Sequence, residues 1–266
     1  MPVECEVEIS STGQERFHDV DKVLMRHAFD MHNTMGRFFD ERIYQDELAN
    51  RCCECGVEAH REVLVRVGYR DFSKDYYLDL LVERGMIYEL KATQSLGSAH
   101  QNQLINYLLL TGINHGKLVN FRSASVESRF VSTRLNREER MTFKLDETCW
   151  QPDANDCQRL RDVLFEILQD WGAFLDVNLY REALMHFLAG SDTGIQAVNI
   201  EVNGRIVGSQ KMCLLNPETA WHLSAARVHL QSYETHITRL LRHTQLRKIH
   251  WINFNQRSIT LKTLQK

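Results

Sequence analysis

Only three prolines interrupt the 266 residues, and the seven cysteines make no even framework. An odd set at Cys5, Cys52, Cys53, Cys55, Cys149, Cys157 and Cys213 argues against a disulfide scaffold and for a reducing, cytoplasmic setting. Neither sign of charge dominates. With a net charge of -3 and a pI near 6.5, no global basic field advertises a nucleic-acid partner, so any such partner must be met by a local patch. No apolar run approaches the ~18 residues of a membrane span. The opening MPVECEVEIS is acidic and has neither the basic nor the apolar region of a signal peptide. What is present is ordinary for a globular protein: 43% hydrophobic and 25% charged residues, enough for a core without staples.

Along the chain, residues 16 to 34 read as a helix, with Val20, Val23, Leu24, Ala28, Met31 and Met35 near helical spacing. A second helical stretch covers 39 to 53. Strand-like runs follow at 62 to 69, 76 to 83 and 86 to 92, the last two joined by the tight turn ERG. Then come a helix, SAHQNQLINYLLLTG, and a short strand, KLVNF. The order α, β, β, β, α, β predicts an α/β domain with a mixed central sheet. Residues 136 to 156 read as a polar connector with some structure of its own.

After the connector the pattern returns. GRFFDERIY (36 to 44) is echoed by GAFLDVNLY (172 to 180), GKLVNF (116 to 121) by IHWINF (249 to 254), and LDLLVERGMIYELKA by MCLLNPETAWHLSA (212 to 225) with one gap. A repeat of roughly 133 residues is too long for a solenoid and reads as a duplicated domain. The expected domains are therefore 1–138 and 139–266. Two copies in one chain are compatible with a monomer that mimics a dimer internally.

The charged residues of YYLDLLVERGMIYELKA are the chemical signal. Asp79 and Glu89 fall near facing positions of a hairpin, and Lys91, two residues on, projects from the same strand face as Glu89. Buried carboxylates a few ångströms apart repel, and a divalent cation removes that cost. Oxygen ligands of this kind suit Mg²⁺ or Mn²⁺ better than zinc. The ammonium of Lys91 would orient or deprotonate water, or offset charge on a phosphoryl transition state.

Together, GRFFDERIY, YYLDLLVE…YELKA, HQNQLINYL and GKLVNF resemble the GxxExxY proteins, a branch of the PD-(D/E)XK nuclease superfamily, over about residues 16 to 135. The resemblance implies a restriction-endonuclease-like core with a metal-dependent phosphodiesterase site. It makes Glu41 the acidic residue of the first core helix, Asp79 and Glu89 the metal ligands, Lys91 the lysine of the motif, and Gln103 the glutamine of the following helix. Tyr44 closes the naming motif and reads as packing rather than chemistry. One position departs: the family has glycine three residues before the glutamate, where this chain has Phe38. Gly36 fits the family's earlier glycine.

In the second copy every one of these residues is replaced. Glu41 aligns with Val177, Asp79 with Cys213, Glu89 with His222, Lys91 with Ser224 and Gln103 with His236. Gly172, Phe174, Asp176, Tyr180, Asn253 and Phe254 keep the scaffold, as expected of a degenerate, pseudo-nuclease domain. The types of Cys213, His222 and His236 suit zinc, but chance replacement is the preferred reading. RCCECG, with Cys52, Cys53 and Cys55, has no paired C-x2-C spacing and reads as free, buried or partly buried thiols.

From Thr235 onward the chain has no Asp or Glu but carries Arg239, Arg242, Arg247 and Lys248 among other basic residues. These, with Arg122 and Arg129 after the first NF strand, are candidate phosphate contacts. The expected function is a Mg²⁺-dependent nuclease acting on nucleic acid, DNA first among the candidates. The alternative is a non-catalytic nucleic-acid-binding or scaffold protein with an inherited nuclease fold, in which the first copy also fails to bind metal.

Overall fold

The computed structural model describes residues 3–152, 155–188 and 194–266. The chain falls into two units, Met1–Arg137 and Glu138–Lys266, each built on a six-stranded mixed sheet.

The first unit runs β1 (Val3–Cys5), α1 (Gln14–Met35), α2 (Glu41–Glu54), β2 (Ala59–Tyr69), β3 (Phe72–Val82), β4 (Met86–Lys91), α3 (Ser98–Thr111), β5 (His115–Asn120) and β6 (Glu127–Ser132). The strands lie side by side in that order, and only β4 and β5 are parallel. That pair needs a crossover, and α3 supplies it. Phe17, Val20, Leu24, Ala28 and Met31 recur at helical spacing on α1 and are buried with Leu80, Tyr88, Leu90 and Val119 of the sheet. The ERG turn holds Glu83 and Arg84 at φ +49° and +55°, the backbone of a tight hairpin. Gly85 follows because a side chain there would strike the Ser10 carbonyl, 2.7 Å from the position of its Cβ.

The second unit runs α4 (Arg137–Met141), β7 (Lys144–Cys149), α5 (Asn155–Trp171), α6 (Val177–Leu188), β8 (Gly194–Val202), β9 (Arg205–Asn216), β10 (Thr219–Ser224), α7 (Leu230–Arg242), β11 (Lys248–Asn255) and β12 (Ser258–Gln265). From α5 onward the elements repeat those of the first unit from α1, with β10 and β11 parallel across α7. The sheets differ at one edge. In the first, β1 adds to β2; in the second, β7 adds in parallel to β12. The polar connector expected at 136 to 156 thus contains a short helix and an edge strand; its residues 153 and 154 lie outside the described residues. Its alternating, polar KLDETC suits an edge exposed to water.

The echoed residues are a scaffold. Tyr44 donates a 2.8 Å hydrogen bond to the Gly36 carbonyl, and Tyr180 a 2.7 Å bond to that of Gly172. Each tyrosine ring packs on the phenylalanine of its NF strand, Phe121 at 4.3 Å and Phe254 at 4.7 Å between centroids. Both glycines have positive φ, +82° and +73°, and a Cβ on Gly172 would lie 2.6 Å from the Arg140 carbonyl oxygen. The asparagines pin the backbone just past the central strand. Asn120 accepts from the Thr93 amide and donates to the Thr93 carbonyl; Asn253 does the same with Ala226.

Candidate active site

Three elements bring the charged residues together. Pairing of Leu80 with Tyr88 puts Asp79 and Glu89 one step further along the β3–β4 hairpin, on the face towards α3. Lys91 ends β4 on that same face. The Tyr44–Gly36 clamp sets the entrance of α2, whose first residue is Glu41. There the Glu41 carboxylate accepts a 3.2 Å bond from the Ala92 amide, just beyond Lys91.

Lys91 Nζ is the centre of the group. It donates to Glu89 Oε1 at 2.7 Å and stands 3.5 Å from Glu41 Oε1 and 3.7 Å from Asp79 Oδ2. Asp79 Oδ2 also accepts a 2.7 Å bond from the Leu90 amide. Asp79, Glu89 and Lys91 are all buried, and Glu89 is only 1% exposed. Burial pushes the Asp79 carboxyl up from the usual range, against the pull of Lys91 and the Leu90 amide. Burial and then the Asp79 charge push Glu89 up as well, and Lys91 offsets this only in part. For Lys91 burial opposes the charge, but Glu89 and Asp79 outweigh it, so the amine is held protonated.

Three acids thus share one ammonium, and that is not enough. Glu89 Oε2 is buried without any hydrogen-bond partner. A buried carboxylate oxygen left bare is costly and calls for a proton or a cation. The donor set, carboxylates only, fits a hard divalent cation. The carboxylates surround the ammonium and do not form a closed cage: among the described residues, no group of three or more His, Cys, Asp or Glu is gathered to hold an ion. Mg²⁺ does not require a cage, because it is usually held by one or two carboxylates with waters and substrate phosphate completing its shell.

Gln103 reaches the site through another side chain. Its amide donates a 3.0 Å bond to the Tyr107 hydroxyl. That hydroxyl has its pKa pushed up to about 12, chiefly by burial and then by the Glu89 charge. Two residues here were not singled out from the sequence. Tyr107 stands one helical turn after Gln103, a spacing that places both on one face of α3 and was open to inspection. Glu62 lies opposite Asp79 where β2 skips one step of its ladder, at φ +49°, and its charge raises the Asp79 pKa further. Nothing in the run EVLVRVGY announces that irregularity.

Arg122 braces the site's edge, donating to the Ala92 and Phe39 carbonyls at 3.4 Å each. Arg129 reaches back to Gln101 on α3 at 3.3 Å. Its counterpart in the second unit is Lys262, which pairs with Glu234 on α7 at 2.7 Å. Beside that pair, Arg239 and Arg242 line an open groove of about 520 Å³ with Gln231, Thr235 and Thr238. Arg247 and Lys248 are not among the groove's lining residues: Arg247 stands 3.2 Å from Glu218, and Lys248 begins β11.

The second unit's equivalent centre lacks the acids and the ammonium. Ser224, at the Lys91 position, accepts a 2.8 Å bond from the Trp251 indole and donates to Asn253. Tyr233 stacks on Trp251 and meets His222 at 2.8 Å. One alignment requires correction. β9 skips Leu215 in its ladder with β10, so Cys213 pairs with Trp221, and Met212 is the residue across from His222. Met212, not Cys213, therefore holds the Asp79 position. Cys213 and His222 face opposite sides of the sheet, and the zinc trio with His236 is not assembled. In the cysteine cluster only Cys52 is buried, with its thiol pushed up to about 12, while Cys53 and Cys55 are exposed.

No curated protein and no solved structure matches the chain. Residues 18–131 match the family model of the PD-(D/E)XK nuclease superfamily, a stretch that runs from α1 to β6 and contains Glu41, Asp79, Glu89, Lys91 and Gln103. The match covers most of the first unit and less than half of the chain: residues 18–131 are similar to the PD-(D/E)XK nuclease superfamily.

Proposed function

We propose that the first unit is a divalent-metal-dependent nuclease, of the GxxExxY branch, that hydrolyses phosphodiester bonds of nucleic acid, with DNA the first substrate to test. The observation that carries this is the bare, buried Glu89 Oε2 within a group of acids that a single ammonium leaves short of positive charge. Asp79 and Glu89 would hold the cation, Mg²⁺ or Mn²⁺, with Glu41 beside them. When bound, that cation supplies Lewis-acid stabilisation of phosphoryl charge and a more acidic water. Lys91, held protonated, enters as a charged donor that orients the attacking water or offsets negative charge on the phosphoryl oxygens; the proton it carries makes it a poor base. Gln103 fixes the Tyr107 hydroxyl at the wall of the site. Residues 139–266 act, in this reading, as a pseudo-nuclease copy whose centre is closed by Trp251 and Tyr233. Its groove of Arg239, Arg242 and Lys262 offers positive charge to a phosphate backbone.

The test is hydrolysis of labelled single-stranded and duplex DNA and RNA, in Mg²⁺ or Mn²⁺ against chelator. Wild type should cut only with the cation, and Asp79→Asn and Glu89→Gln should lose at least about a hundredfold in rate, as removal of transition-state charge stabilisation does elsewhere. Folded wild type that cuts none of these substrates would favour the scaffold alternative.

A further inference from the structure

The segment between α1 and α2 presents a side chain that folding does not explain. Phe38 is 77% exposed, more than any other large apolar residue among the described residues. An isolated exposed phenylalanine is unremarkable, but this one has company. The Arg37 guanidinium lies over its ring at 5.2 Å and that of Arg122 at 6.0 Å. Arg122 is also hydrogen-bonded to the Ala92 carbonyl, and the Ala92 amide to Glu41. The ring is therefore tied, through one arginine and one peptide unit, to the edge of the carboxylate cluster. Phe39, next to it, is 41% exposed.

The second unit serves as an internal control. Its GAF segment puts Ala173 where the first has Arg37 and Phe174 where the first has Phe38, and Asn255 follows its NF strand where Arg122 follows the first. Phe174 is partly buried. The exposed ring with its two guanidinium groups occurs only in the copy that keeps the charged centre.

We infer that Phe38, flanked by Arg37 and Arg122, is a stacking platform for an unpaired nucleobase next to the scissile phosphate. An aromatic face accepts any base, and the flanking guanidinium groups meet the phosphates on either side. A base inside a duplex is already stacked on its neighbours, so the platform favours single strands, frayed ends or flaps. This deepens the nuclease reading and rests on it.

Binding without catalysis separates the two. In chelator, a single-stranded oligonucleotide carrying 2-aminopurine and a blunt duplex of equal length are titrated with wild type, Phe38→Ala and Phe38→Trp. Phe38→Ala should weaken single-strand binding roughly tenfold, within the range for loss of one base–aromatic stack, and abolish the quenching of 2-aminopurine. It should leave duplex affinity within about twofold, and Phe38→Trp should restore both signals. Equal single-strand affinity and quenching in wild type and Phe38→Ala would overturn the platform while leaving the nuclease reading intact. Failure of wild type to bind any nucleic acid, in chelator and with Ca²⁺ added, would overturn both.

Discussion

Lys91 is the residue on which the first unit's charge balance turns. Removing it leaves Asp79 and Glu89 buried without a counter-charge, which costs about 3 kcal/mol where a buried pair is broken. Lys91→Ala should therefore melt lower than wild type in chelator and recover part of the difference on addition of Mg²⁺, as scanning calorimetry would show. Equal melting in chelator would mean that the ammonium does not offset those acids. His250 makes a separate case in the second unit. It is fully buried between Thr263, Cys157 and the Trp150 ring, and burial lowers its pKa to about 4. The unfolded chain takes up a proton below about pH 6.5 that the folded protein refuses until about pH 4, so stability is present above that window and is lost as pH falls through it. The loss should approach about 3 kcal/mol. All four tryptophans, Trp150, Trp171, Trp221 and Trp251, are in the second unit, so denaturant unfolding followed by tryptophan fluorescence reads it selectively. A stability flat from pH 7 to pH 4.5 would contradict the assignment.

At the level of elements, the Gly–Tyr clamp appears twice with different consequences. Tyr44→Phe deletes the bond donated to the Gly36 carbonyl and the one accepted from the Phe39 amide, and Tyr180→Phe the bonds to the Gly172 carbonyl and the Leu175 backbone; each should cost about 1 to 3 kcal/mol. Only Tyr44→Phe should also lower metal-dependent cleavage, because only that clamp positions a carboxylate, Glu41, at a helix start. Equal activity in both variants would show that the entrance of α2 does not position the site. Much of this architecture was legible beforehand. The helices and the buried strands carry strong periodicity, and the ERG turn separates β3 from β4 plainly. Strands β1 and β7 were not legible: they are short, polar edge pieces whose pairing is decided by tertiary contacts. The site was legible as far as its charges went, since Asp79, Glu89 and Lys91 break an apolar pattern. Tyr107 was hidden among apolar helix residues. The Met212 register depended on a bulge at Leu215 that no residue type marks.

For the whole molecule, the proposed nuclease reading assigns different tasks to the two copies. The first copy keeps the acids and the ammonium. The second replaces them with a hydrogen-bonded Trp251–Ser224–Asn253 centre and carries the groove with Arg239 and Arg242. If that groove holds the phosphate backbone, the double variant Arg239→Ala/Arg242→Ala should reduce the slope of log affinity against log salt by about two for duplex DNA, with cleavage chemistry at saturating substrate unchanged. An unchanged slope would remove the second copy from substrate binding.

The central claim is that the acids of the first unit are buried for the sake of a cation. Calorimetric titration of the metal-free protein with Mn²⁺ tests it most directly. Saturable binding is expected for wild type and none for Glu89→Gln or Asp79→Asn, in samples whose melting shows them folded. Equal Mn²⁺ binding by wild type and both variants, or none by any of them, would contradict it.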